Sequence, residues 1–244
     1  MSKTSKSPKQ VIKSAYEIGN KAFKEYSHRY SPKKFTQPQL FACLVLKAFF
    51  QTDYRGIEEI LRDCPDLARE ISLEEIPHFT TFQKAEKRLL NKDSTRKILV
   101  ETIKKALSNK QMKRIVELAA IDGSGFESRH VSDYFMKRQN MTGKRIRHIR
   151  YPKVNLLCDC SSHMTLSLDV CRGPSPDIVK FKEVLLEALR NIKIRTLLAD
   201  AGYDSEGSHE FAREQLGINS IIPALIGRPT NKLPKGRWRR VMKQ

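Results

Sequence analysis

Between residues 37 and 108 the apolar positions recur at helical spacing. Pro38 suits a first helical turn, and Leu40, Cys43, Leu44, Leu46, Phe49 and Phe50 form a thick apolar stripe behind it. Asp53 is placed to cap a second helix carrying Ile57, Ile60 and Leu61. Thr80 or Thr81 is placed to cap a third, with Phe82, Ala85 and Leu89 on one face and Gln83, Lys84, Lys87 and Arg88 on the other. A fourth runs from Ser94 to Leu107 and turns Ile98, Leu99 and Ile103 inward. Residues 37–110 therefore predict an all-helical domain, with a linker near 108–115.

The period then changes. Val116, Leu118, Ala119, Ala120 and Ile121 form a short apolar run, as in a strand covered on both faces, and it stops at Asp122-Gly123-Ser124-Gly125. Two strands are expected at Lys153–Cys160 and His163–Arg172, joined by Ser161-Ser162. Gly173-Pro174-Ser175-Pro176-Asp177 has the form of a helix start, with Ser175 as cap, Pro176 in the first position and Asp177 at the positive end of the dipole. Val179, Val184, Leu185, Ala188 and Leu189 supply the buried stripe. Ile194–Ala199 is another apolar strand, and it too stops at an aspartate, Asp200. A helix around Ser205–Leu216 and a strand around Asn219–Leu225 follow. Three strands in a row predict a meander, and the helix–strand pairs after it predict parallel additions. Residues 111–244 thus read as an α/β domain, a mixed sheet with flanking helices.

Charge narrows the partner. The 244 residues carry a formal net charge of +19, with 30% charged and 39% hydrophobic residues. That excess calls for a polyanion, with nucleic acid first. No apolar run is long enough to span a bilayer, and the basic start has no apolar segment of a signal peptide behind it. Residues 1–36 are expected to form a basic flexible arm, with some helix within Val11–Tyr30, either solvated or phosphate-binding; the first 34 hold nine Lys or Arg against two Glu. Residues 137–153 hold seven Lys or Arg and no acid, including Lys137, Arg138, Lys144, Arg145 and Arg147. Residues 228–243 hold another seven, with Arg237, Arg239 and Arg240 around Trp238, whose indole is open either to base stacking or to packing on a helix. The face of Lys84, Lys87 and Arg88 belongs either to the recognition helix of a helix-turn-helix or to an ordinary basic surface. Five cysteines at irregular spacing argue for a reducing, cytoplasmic compartment, and Cys158, Cys160, His163 and Cys171 match no usual zinc spacing.

Two strand-terminal aspartates remain. Ligands collect outside the carboxyl ends of strands in open α/β sheets. Carboxylates there, beside glycines, suit a hard divalent cation such as Mg2+ or Mn2+. Two such ions, roughly 3.5–4 Å apart, clamp the attacking and leaving oxygens of a phosphoryl displacement. A lone Asp-Gly more often braces a turn; two on central strands in so basic a chain favour the metal. Asp204 precedes a helix and is expected to cap it, while Asp133, Asp159 and Asp169 are expected at the surface.

The segments Ala120-Ile121-Asp122-Gly123-Ser124-Gly125-Phe126 and Leu197-Leu198-Ala199-Asp200-Ala201-Gly202-Tyr203-Asp204 resemble the first and second carboxylate motifs of bacterial insertion-sequence DDE transposases. Ile76–Lys84 resembles the helical N-terminal part of the same family. The resemblance implies an RNase H-like catalytic core, with Asp122 and Asp200 as catalytic metal ligands. It implies magnesium-dependent DNA cleavage and strand transfer, double-stranded DNA as partner (element terminal inverted repeats and target), a homodimer when active, and a cytoplasmic, nucleoid-associated protein. The family also uses a glutamate on a later helix, yet no Asp or Glu follows Glu214 in this chain. The expectation is a truncated transposase; the alternatives are a catalytically dead DNA-binding remnant or inhibitor, or a nuclease that draws its third acid from Glu127 or Asp204.

Overall fold

The computed structural model describes residues 6–126, 151–173, 175–224 and 234–243. Two compact units divide the chain, residues 1–105 and 106–244.

The first unit is helical. The segment expected as a flexible arm contains α1 (Pro8–Ala22), capped by the Ser7 hydroxyl, with Ile12, Ala15 and Gly19 buried. Those three positions share one helical face, and the lysines between them disguise it. Gly19 lies so close to α2 (Gln37–Phe49) that a Cβ there would sit 3.1 Å from Pro38 Cα. Thr36 and Gln39 close a capping box on α2. Asp53 caps α3 (Tyr54–Asp63), as expected, and a short α4 (Pro65–Arg69) follows. The cap of α5 (Phe79–Leu89) is His78 rather than Thr80 or Thr81. Glu58 of α3 strengthens that start: it accepts the Phe79 N–H at 2.7 Å and pairs with Arg62 at 2.6 Å. The Arg62 guanidinium, with the Phe79 N–H, holds the Glu58 carboxyl below its ordinary range. Helix α6 (Lys92–Ser108) closes the unit. Leu40, Leu44, Leu46, Ile57, Leu61, Phe82, Ala85 and Leu89 form its core. Helices α3 and α5 pack together, but residues 64–78, with α4, lie between them. That departs from the three- or four-residue turn of a helix-turn-helix.

The second unit is a five-stranded mixed sheet of order β3-β2-β1-β4-β5. Strands β1 (Ile115–Gly125), β2 (Tyr151–Asp159) and β3 (Thr165–Gly173) form the expected antiparallel meander. Strands β4 (Lys193–Ala199) and β5 (Asn219–Ile221) add in parallel on the other side of β1. Between β3 and β4 the chain makes a 3-10 turn, Asp177–Lys180, and then α7 (Phe181–Leu189). After β4 come a second 3-10 turn (Ala201–Tyr203), α8 (Glu206–Glu210) and a π-helical turn (Phe211–Gln215). Helix α9 (Arg237–Lys243) is the last element. Alternation sends Ala119, Ile121, Leu157 and Leu197 to the face that α7 covers with Phe181, Val184, Leu185 and Ala188. Ser167 Oγ ties that face to the Val184 carbonyl at 2.7 Å. This is the α/β architecture the pattern predicts, an RNase H-like mixed sheet behind a helical N-terminal region.

Three local expectations change. Ser175 makes no cap, because a 3-10 turn preceded by Pro176 replaces the first helical turn. Val179 then swings outward and is exposed, and Phe181 takes the buried place. Asp159 and Asp169 are buried rather than surface residues. Asp159 closes the β2–β3 hairpin by accepting from Ser161 and Ser162. Burial works against its charge, yet those bonds hold its carboxyl below the usual range. Asp133 lies outside the described residues. Among the described residues no helix is long and apolar enough to cross a membrane.

Candidate active site at the ends of the parallel strands

β1 and β4 are parallel neighbours, and their last register pair is Ile121 with Ala199. The next residues are Asp122 and Asp200, so the two carboxylates follow the end of the β1–β4 pairing on the same edge of the sheet; Asp200 ends its strand as expected, whereas β1 does not stop at Asp122 but runs on, paired with β2, to Gly125. This is also where the sheet switches direction: the chain leaves β1 toward β2 on one side, and β4 joins on the other. Crevices open at such points. Both aspartates are exposed. Asp122 Oδ1 accepts the Gly123 N–H at 2.7 Å, and Asp200 Oδ1 accepts the Gly202 N–H at 2.9 Å, capping the 3-10 turn. Each carboxylate thus braces its own turn through one oxygen.

Behind them lies a group of side chains that the sequence reading did not connect. Asp177 sits against Gly123, where a Cβ would fall 1.7 Å from its Oδ1 and 3.0 Å from Asn155 Oδ1. Lys153, the last residue of the expected basic stretch 137–153, is buried and faces inward instead. Its ammonium lies 2.6 Å from Asp177 Oδ1 and donates to the Ser175 carbonyl at 2.7 Å. Tyr203 is fully buried against Phe181, with ring centroids 5.8 Å apart. Burial, and then the charges of Asp177, Asp122 and Asp200, push its phenol well above the ordinary range. Tyr203 Oη and Asn155 Oδ1 have no hydrogen-bond partner among the described residues. The signal for this group was present in Gly123: a glycine inside a strand marks close approach by something else. The identity of that something is a tertiary fact.

The acceptors are all hard oxygens, and Tyr203 Oη and Asn155 Oδ1 are unpartnered among the described residues, while the space beside Gly123 is taken by the Asp177 carboxylate. Such a set fits a partly hydrated Mg2+ or Mn2+. Among the described residues no three His, Cys, Asp or Glu side chains converge on one metal position.

The other expected site residues fall into three groups. Lys84, Lys87 and Arg88 stand exposed on the outer face of α5. Lys137, Arg138, Lys144, Arg145 and Arg147 lie outside the described residues, as does Glu127. The C-terminal group is engaged internally. Arg239 makes a bidentate pair with Asp204, at 2.8 and 2.7 Å. Asp204 is therefore a buried ion-pair partner, while Ser205 caps α8. Trp238 lies between the Arg213 and Arg237 guanidinium groups, 4.5 and 4.7 Å from its ring, and its indole N–H donates to Glu214 at 2.9 Å. Glu206 accepts the Trp238 and Arg239 backbone N–H groups, and Arg240 Nε donates to the Pro234 carbonyl. In this chain the indole packs on α8 and its π turn, a contact that the sequence reading did not foresee. Cys158, Cys160 and Cys171 are free thiols, and Cys171 Sγ takes a weak contact from Asn155 Nδ2 at 3.5 Å.

A family model for the transposase DDE domain matches residues 117–244. The chain belongs to that family. Its match begins inside β1 and includes both aspartates. Across 201 residues the chain is also 25% identical to an uncharacterised protein of Aquifex aeolicus (strain VF5). That match covers 82% of this chain and 58% of the relative. For a DDE family member, the two strand-end carboxylates are the positions to examine first, and the structure puts them on neighbouring parallel strands.

Proposed function

We propose that this chain is the DNA-binding and front catalytic part of an insertion-sequence transposase, in which Asp122 and Asp200 hold the divalent cations for phosphodiester cleavage and strand transfer. The adjacency of the two aspartates at the switch between β1 and β4 carries the reading. Bound Mg2+ or Mn2+ supplies activation of the attacking hydroxyl and stabilisation of the leaving oxygen. The protein's part is to fix carboxylate geometry on a rigid sheet and to hold DNA against it. The exposed Lys84, Lys87 and Arg88 face of α5 supplies phosphate contacts, as do the basic residues of 137–147; the partner is double-stranded DNA, at element ends and target. Synapsis of two element ends asks for a homodimer.

A second reading is that the chain binds element ends without cutting them and inhibits an intact enzyme. Three of the four acids after Asp200 favour it: Asp204, Glu206 and Glu214 are bonded to α9, and the fourth, Glu210, is exposed at the end of α8. The test is nicking of supercoiled DNA carrying the element ends. Magnesium-dependent nicking that disappears in Asp122→Ala and in Asp200→Ala supports the first reading. Nicking that survives both changes removes the metal assignment. Tight DNA binding with no nicking by the unaltered chain selects the second.

A further inference from the structure

Tyr151 opens β2, and two glycines on the neighbouring strands seat its ring. A Cβ at Gly125 of β1 would fall 2.6 Å from Tyr151 Cε2, and one at Gly173 of β3 would fall 2.4 Å from the same carbon. Neither glycine has a positive φ, so the backbone does not call for them. A glycine inside a strand then marks close approach by another group, and here that group is the tyrosine ring. The ring edge is gripped from both sides, which fixes its orientation before any ligand arrives.

Tyr151 is nonetheless only half-buried. A surface cavity of about 420 Å³ opens beside it, lined by Tyr151, Pro152, Val170, Cys171 and Arg172. Val170 is 53% exposed. Arg172 is exposed as well, and its guanidinium has no ion-pair partner among the described residues. Phe126, the residue after Gly125, is 57% exposed, and its N–H donates to the Pro152 carbonyl at 2.8 Å. Two aromatic residues and an exposed guanidinium thus share one end of the sheet.

A fixed aromatic wall, apolar neighbours and an adjacent cation suit a flat ring that carries a phosphate. In a chain of net charge +19 whose family acts on DNA, that ring is a nucleobase. A paired base is stacked on both faces and cannot enter, so the slot takes one that is unpaired or extruded. Its position agrees. Leu156 is the register partner of Asp122, and Tyr151 lies five residues from it toward the same edge of the sheet, about 17 Å along β2. Trp238 is no rival for this role, because its indole is held between Arg213, Arg237 and Glu214.

We propose that Tyr151 and Arg172 form a stacking slot for an unpaired base of the bound DNA, with the base on the tyrosine ring and the guanidinium beside it. The inference rests on the DNA reading of the chain and not on the metal reading of Asp122 and Asp200.

The experiment titrates the full chain into two end-labelled duplexes of one sequence at fixed salt, one fully paired and one carrying a single bulged 2-aminopurine. Anisotropy reports affinity, and the 2-aminopurine emission reports stacking. The unaltered chain is expected to bind the bulged duplex more tightly and to quench its emission. Tyr151→Leu is expected to lose about tenfold on the bulged duplex and nothing on the paired one, while Tyr151→Phe keeps both. Arg172→Gln, a change at an exposed side chain, is expected to lose affinity on the bulged duplex alone, and it decides the matter should Tyr151→Leu fail to fold. No preference for the bulged duplex, or equal losses on the two duplexes, overturns the slot. Failure of the unaltered chain to bind either duplex overturns the DNA reading beneath it.

Discussion

Gly123 decides whether a carboxylate can stand beside Asp122. An added Cβ would meet Asp177 Oδ1 at 1.7 Å and must displace it from Lys153. Gly123→Ala is therefore expected to cost about 1–3 kcal/mol in stability, as overpacked sites do, measured by thermal or urea unfolding. Equal stability would mean that Asp177 moves freely. A second buried group gives a pH signature. His209 is fully buried, with Nδ1 2.8 Å from Ser220 Oγ, and that hydroxyl accepts from Arg213 Nε at 3.1 Å. His209 Nε2 has no partner among the described residues. Burial first, and then the Arg213 charge, lower the His209 pKa from its ordinary value. The unfolded chain binds the proton more readily, so the neutral ring contributes stability above the unfolded value, about 6.5, and loses it as pH falls through the folded one. The melting temperature should drop by roughly 2–8 °C from about pH 7.5 to about pH 5. His209→Gln should flatten that dependence; an unaltered slope would place the proton uptake elsewhere.

Helices separate the basic residues that can meet DNA from those that hold the fold. Lys84, Lys87 and Arg88 project from α5, whose start is fixed by His78 and Glu58. Replacing all three with Ala should weaken DNA binding and reduce the salt slope by about three, with little change in melting temperature. An unchanged slope would remove α5 from the interface. Arg239→Ala should do the reverse. It strands the buried Asp204 carboxylate, at a cost of about 3–5 kcal/mol, and loosens α9 from α8. Composition counted these arginines alike; only tertiary partners divide them. Much else was legible along the chain. β1 and β4 announced themselves as short apolar runs followed by an aspartate, but the expected cover on both faces is not there: burial alternates along both strands, and Leu118 of β1 is exposed. Asp53 was legible as a cap because capping is local. Helix α1 was legible only in part: helix was expected within Val11–Tyr30, but it runs Pro8–Ala22, and its buried face was not foreseen, since three small or apolar positions among lysines carry little pattern. Nor was the burial of Asp159, which depends on two serines folding back over it.

The assembled sheet gives the two motifs their meaning. Asp122 and Asp200 are 78 residues apart in sequence, and parallel pairing of β1 with β4 makes them neighbours. That adjacency is what supports the proposed metal site at this edge of the sheet. The metal itself can be located directly. Crystals of the chain soaked in Mn2+ and measured at a wavelength where manganese scatters anomalously should show a peak between the Asp122 and Asp200 carboxylates. That result would place the cation where the strand ends converge. A peak elsewhere, or none beside either aspartate, would contradict the metal-centre reading.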